Sequence, residues 1–128
     1  MQYTILVTGP IYGTQNSISS FLFVKSLIKK KHIVRSIFFY ADGVYNANIM
    51  SSPNYNEIDL LKFWKKISIE NNIILKLCIG SSIKRGLIIK NLVKKKGILT
   101  RNVDENFKSM GLLELSKDII LSDRVVQF

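Results

Sequence analysis

The sequence is poor in the residues from which many active sites are built. Its 128 residues include one cysteine, Cys78, one histidine, His32, and one tryptophan, Trp64. A single cysteine excludes an intramolecular disulfide, and a chain of this length buries enough surface to hold a core without one. One cysteine and one histidine supply neither a zinc cluster nor a cysteine–histidine pair of the protease kind. Serine hydrolysis lacks its nucleophile-elbow sequence. Long hydrophobic runs are missing too: stretches such as Phe21 to Val24 and Ile119 to Leu121 fall far short of the roughly 18 residues that cross a bilayer. The opening residues, Met1 to Val7, carry no basic leader or small-residue cleavage site and turn directly into Thr8-Gly9-Pro10, so they read as a first strand. A reducing, cytoplasmic setting is the expectation.

Acidic residues are scarce, nine against 19 basic ones, which leaves a formal charge of +10. Clustered cations gain affinity for phosphates by releasing counterions. Yet 15 of the 19 are lysine, whereas specific phosphate recognition favours the planar fork of arginine. Lysine is accompanied by many isoleucine and asparagine residues, all written with AT-rich codons, so base composition accounts for much of the charge. The basic surface reads first as a solvated face, with an acidic partner or RNA as the remaining alternatives.

What is present is an alternation of strand and helix patterns. Gln2 to Thr8 is a mostly apolar run stopped by Gly9-Pro10, the mark of a strand end. Ile18, Phe21, Val24 and Ile28 recur at helical spacing, with Leu22, Phe23 and Leu27 widening the stripe, and Lys29 to Lys31 suit the negative end of a helix dipole. A strand follows from Ile33 to about Tyr40. Ala41 to Glu57, with Gly43 and Pro53, shows no sustained period and reads as a long surface loop. Asp59 is placed to cap a helix carrying Leu60, Leu61, Trp64 and Ile67, which Asn71-Asn72 ends.

Ile73 to Ile79 is a nearly continuous apolar strand of the kind buried on both faces of a parallel sheet, with Cys78 near its carboxyl end. Ser81 or Ser82 could cap a short helix through Leu87. A lysine-rich stretch with Gly97 leads into a polar segment from Thr100 to Asn106. Ser109 could cap a helix with Leu112, Leu115 and Ile119 along one side, and Arg124 to Phe128 reads as a final strand. The pattern predicts one α/β domain over residues 1–128, three layers with a mainly parallel sheet flanked by helices.

In such sheets ligands bind beyond the carboxyl ends of the strands, where loops and helix N-termini converge. Cys78 falls at such an end. Backbone N–H groups from Ile79 to Ser82 would open the next helix and favour a thiolate over a thiol, with Lys84 and Arg85 adding positive charge one turn on. The competing reading is a packed structural cysteine, since free cysteine is among the most buried residue types. The loop Gly9-Pro10-Ile11-Tyr12-Gly13-Thr14 lacks the lysine and spacing of a phosphate-binding loop and reads as a tight turn between strand and helix. Phe38, Phe39, Tyr40 and Tyr45 could line a pocket or interface, although core packing explains the first two. His32, after a lysine run, reads as a surface residue.

Several runs together resemble one family: Val7-Thr8-Gly9-Pro10, Tyr12-Gly13-Thr14-Gln15, Phe38-Phe39-Tyr40, Gly43-Val44-Tyr45-Asn46-Ala47-Asn48 and Asp123-Arg124-Val125-Val126-Gln127-Phe128. They are similar, from end to end, to the DsrE-like sulfurtransferases, and Cys78 falls where that family keeps its active cysteine. Lys90 to Gly97 and Ile79 to Ser82 depart from the usual pattern, which has small apolar residues after the cysteine. The resemblance implies a DsrE-like fold and a relay in which Cys78 accepts sulfur as a persulfide from a TusA-like donor. It implies a TusE-like acceptor, 2-thiolation of the wobble uridine of certain tRNAs as the destination, and TusB-like and TusC-like subunits in a dimer of heterotrimers. Contact with tRNA would be indirect or weak. Persulfide exchange between thiols needs no metal or organic cofactor, and a lone cysteine has no neighbour to discharge its cargo by closing a disulfide. A non-catalytic subunit of the same complex and a basic RNA-binding module are the alternatives from other classes.

Overall fold

The computed structural model describes residues 1–89 and 101–128; the lysine-rich stretch Lys90 to Gly97 singled out in the sequence lies outside them. Five strands form one parallel sheet: β1 (Gln2–Val7), β2 (Ile33–Phe39), β3 (Ile74–Cys78), β4 (Phe107–Met110) and β5 (Arg124–Gln127), in the spatial order β4-β3-β2-β1-β5. Helices α1 (Asn16–Lys29) and α2 (Leu60–Asn71) connect the first three strands, the short α3 (Ile79–Lys84) follows β3, and α4 (Leu112–Ile120) leads to β5.

The central strands are buried on both faces, apolar on the α1 and α2 side and partly polar, with Thr4, Ser36 and Lys76, on the other. On the α1 and α2 side, Ile5, Val7, Ile37, Phe39, Leu75 and Leu77 are fully buried. The edge of Trp64 from α2 meets the Phe39 ring at 5.4 Å between centroids, and Phe39 in turn packs on Phe107 at 5.1 Å. Burying such aromatic side chains supplies much of the driving force for packing α2 on the sheet. Asp59 caps α2 as the sequence predicts, accepting a hydrogen bond from the Lys62 N–H at 3.2 Å, and Asn72 ends the helix in a left-handed conformation, φ 54°. Along α1, Val24 and Leu27 are buried while Leu22, expected to widen the stripe, is exposed.

The opposite face of the sheet is closed differently. There α4 presents Asp118, 4% exposed, and the half-buried Leu115 to the sheet, whereas Leu112 and Ile119, expected on the same side as Leu115, are 50% and 43% exposed. Asp118 accepts from the Lys76 ammonium at 2.7 Å and the Ser36 hydroxyl at 2.7 Å, and Arg35 approaches its other oxygen at 3.4 Å. A charged pair thus sits beside Leu115 in the seam between α4 and the sheet. Burial pushes the Asp118 carboxyl up, but Lys76, Ser36 and Arg35 outweigh it and hold the group below its ordinary value.

Two further expectations fail in this part of the fold. Ser109 does not cap a helix: Phe107–Met110 is an edge strand paired with β3, Leu75 opposite Phe107 and Cys78 opposite Met110. The cap position of α4 is Gly111, with no side-chain hydrogen bond. Four residues containing Lys108 and Ser109 are too short and too polar to show a strand period. Nor is Ala41 to Glu57 uniformly a surface loop. Ala41–Ala47 forms a 3₁₀ helix in which Gly43, Val44, Asn46 and Ala47 are buried.

Gly43 packs directly on the end of β1. A Cβ there would lie 2.0 Å from the carbonyl oxygen of Val7, an oxygen already accepting the Tyr40 N–H at 2.9 Å. Gly43→Ala is therefore expected to destabilise the chain by about 1–3 kcal/mol through forced backbone movement, read as a lowered midpoint in urea unfolding with an unchanged slope. An unchanged midpoint would show that the segment is looser than its packing indicates.

Candidate functional site

Cys78 ends β3 and begins α3, so one residue serves both elements. Its backbone is extended (φ −64°, ψ 118°), and its Sγ accepts a hydrogen bond from the Ser81 N–H at 3.4 Å, the position an N-cap side chain takes. The sequence assigned that capping role to Ser81 or Ser82 and ran the helix to Leu87; the helix is Ile79–Lys84 and the cap is the sulfur itself. The serines are used otherwise. Ser82 Oγ donates to the Cys78 carbonyl at 2.7 Å, and Ser81 Oγ accepts from the Ala41 N–H at 3.0 Å. Cys78 is 4% exposed.

A clamp joins this corner to the 3₁₀ segment. Arg85 donates from Nε to Asp42 at 2.8 Å and from Nη1 to the Ser81 carbonyl at 3.2 Å. The sequence offered Lys84 and Arg85 as positive charge for the sulfur; Arg85 instead has its charge matched by Asp42, while Lys84 is exposed in the last turn of α3. Ala41 stands in the left-handed region, φ 51°, a conformation that costs a non-glycine residue energy and is held here by its neighbours. Among the described residues, the polar contact of the sulfur is the Ser81 N–H of α3.

Beneath the site lies a network that sequence reading missed. Asn46, fully buried, donates to the Gly43 carbonyl at 2.9 Å, to Ser17 Oγ at 2.9 Å and to the Gly9 carbonyl at 3.3 Å, and accepts from Trp64 Nε1 at 3.0 Å. Ser17 also donates to the carbonyls of Gly9 and Pro10. One side chain therefore ties the β1–α1 turn, the 3₁₀ helix, α1 and α2 together, with its donors and acceptor all used. The run Gly43 to Asn48 stands out in the sequence only through the family resemblance. The Gly9 to Thr14 loop is the turn expected, with Gly13 at φ 96°. Phe38 and Phe39 are fully buried, whereas Tyr40 is exposed and Tyr45 half-buried. His32 is half-buried beside the Tyr3 ring, 5.5 Å between centroids.

Comparison with known proteins decides the class. Residues 1–128 match the model of the DsrE/DsrF-like family. The chain belongs to that family. Proteins named Sulfurtransferase TusD from Buchnera aphidicola subsp. Schizaphis graminum and from Cronobacter sakazakii are 46% and 38% identical to it, each over 128 residues and the full length of both chains. The crystal structure of the ychN protein from E. coli superposes with a TM-score of 0.76 over all of both chains at 21% identity, which shows the shared fold. This member of the DsrE/DsrF-like family is a sulfurtransferase. Among the described residues, no helix is long and apolar enough to cross a membrane.

Proposed function

We propose that Cys78 is the residue on which this sulfurtransferase carries sulfur, as a persulfide, and that the chain is one station in a relay between thiols. The observation that carries the reading is the placement of the only thiol of a sulfurtransferase at the carboxyl edge of a parallel sheet, on the N-cap of a helix. In the loading step the Cys78 thiolate attacks the outer sulfur of a donor persulfide. The sulfur–sulfur bond of the donor breaks, its inner sulfur leaves as a thiolate, and Cys78 holds the transferred sulfur as a terminal persulfide. In the unloading step an acceptor thiolate attacks that outer sulfur and Cys78 departs as thiolate. Each step exchanges one sulfur–sulfur bond for another, with no net oxidation.

The end-to-end likeness to proteins named TusD supports the wider assignment: a TusA-like donor, a TusE-like acceptor, 2-thiolation of tRNA wobble uridine as the destination, and TusB-like and TusC-like subunits in a cytoplasmic dimer of heterotrimers. The apolar arc that α4 leaves outward, Leu112, Leu113, Ile119 and Ile120, fits a chain that is covered by other subunits. The test is reconstitution with radiolabelled persulfide on a donor protein. The expected result is label on the chain that a TusE-like thiol then removes; label retained in the presence of the acceptor would break the relay. Burial of Cys78 to 4% exposure favours the second reading, a packed cysteine in a non-catalytic subunit. Failure of the native chain to take up any label would establish that one.

A further inference from the structure

Far from Cys78, the two helices on one face of the sheet enclose a groove. All five strands run toward the Cys78 edge, so α1 and α2 return the other way, and their last turns, with Lys29 and Asn71, lie at the opposite end of the molecule. Between them is an open cavity of about 430 Å³. Its floor is apolar, with Phe21 and Phe63 stacked at 5.5 Å between centroids and 13° between planes, beside Ile28 and Ile67. Lys25, Lys29 and Lys66 form its rim, with one carboxylate, Glu70, 3.9 Å from the Lys66 ammonium. Among the described residues neither Lys25 nor Lys29 has a carboxylate within ion-pair distance.

We infer that this groove docks an acidic segment of a partner protein, one that places an aliphatic or aromatic side chain on the Phe63–Ile28 floor and carboxylates against Lys25 and Lys29. The size of the cavity suits one or two side chains. Charge complementarity selects the sign of the partner, and the apolar floor supplies an anchor that a simple counterion would not use. The same details disfavour a nucleic acid. Phe21 and Phe63 spend a face on each other, and Phe21 also meets Trp64 at 5.2 Å, so the pair is a poor platform for stacking bases. Glu70 is paired with Lys66 at 3.9 Å, which leaves Lys25 and Lys29 as the cations that face the partner's carboxylates.

Fluorescence anisotropy of the full chain tests this with three probes: a labelled peptide with a Leu-Phe centre flanked by glutamates, the same peptide with glutamines in their place, and bulk tRNA. Only the glutamate peptide is expected to bind well, with affinity falling about tenfold in Lys25→Glu/Lys29→Glu. Lys108→Glu, on the strand β4 away from the groove, should bind as the parent does. Both variants should retain parental circular dichroism and the parental rate of Cys78 labelling, which keeps this test separate from the sulfur-carrier reading. Equal binding of the glutamine peptide, binding indifferent to the charge reversal, or tRNA held through the same two lysines would each overturn the inference.

Discussion

Cys78→Ser is expected to reduce sulfur acceptance to the uncatalysed background while the chain folds and assembles as before. The first half follows from chemistry: an alcohol neither attacks a persulfide sulfur at neutral pH nor leaves as readily as a thiolate. The second half follows from the position. The Cys78 side chain accepts the Ser81 N–H at an N-cap, and serine is a preferred residue there, so the variant should keep its stability within about 1 kcal/mol. Cys78→Ala removes the cap acceptor as well and should cost about 0.5–2 kcal/mol. A serine variant that unfolds would show Cys78 to be chiefly a packing residue. Activity retained in a folded serine variant would remove Cys78 from the reaction.

Asp118→Asn is expected to be the most damaging substitution away from the site. It leaves the Lys76 ammonium, 6% exposed, without the carboxylate at 2.7 Å that compensates its burial. Removing one partner of a buried ion pair costs about 3–5 kcal/mol, a large part of the roughly 5–15 kcal/mol that holds a domain folded. Glu114, 3.9 Å from the same ammonium and partly exposed, should soften the loss toward the lower figure. Replacing both members together, Lys76→Met with Asp118→Leu, should recover most of the stability, because the burial penalty disappears with the charges. The pH dependence has a definite sign. The folded carboxyl lies below its unfolded value of about 3.8, so its contribution is complete above that value and is lost as pH falls through the folded one. The parent should therefore lose stability more steeply than Asp118→Asn as pH falls below about 3.8 in urea titrations. Parallel curves would assign the acid sensitivity to other carboxylates, of which Asp104 is the first candidate: burial raises its carboxyl, but hydrogen bonds from Asn106 and the Lys65 ammonium together hold it below its ordinary value.

The elements that sequence patterning located are those whose neighbours are apolar. Gln2–Val7, Ile33–Phe39 and Ile74–Cys78 are runs long enough to read as strands, and Trp64 and Ile67 are buried on the predicted face of α2. Patterning failed where polar groups are buried by pairing. Asp118 and Lys76 each look like solvent residues until the other is placed opposite, forty-two positions away, and of the apolar residues that helical spacing points inward from α4 only Leu115 packs on the core while Leu112 and Ile119 are exposed. Asn46 disappears into a loop-like composition for the same reason: its partners come from three other segments. At the site, the edge location of Cys78 was legible because strand periodicity and the loop after it are local features. The capping role of its own sulfur was not, since cysteine is an unusual N-cap and two serines stand nearby in sequence.

The most direct test of Cys78 as the sulfur carrier is mass spectrometry of the native chain after incubation with a persulfide-loaded donor and removal of the donor. One added sulfur atom is expected, mapped to the peptide containing Cys78 and released by a reducing thiol. An unmodified Cys78 beside a donor that remains competent toward other thiols would contradict it.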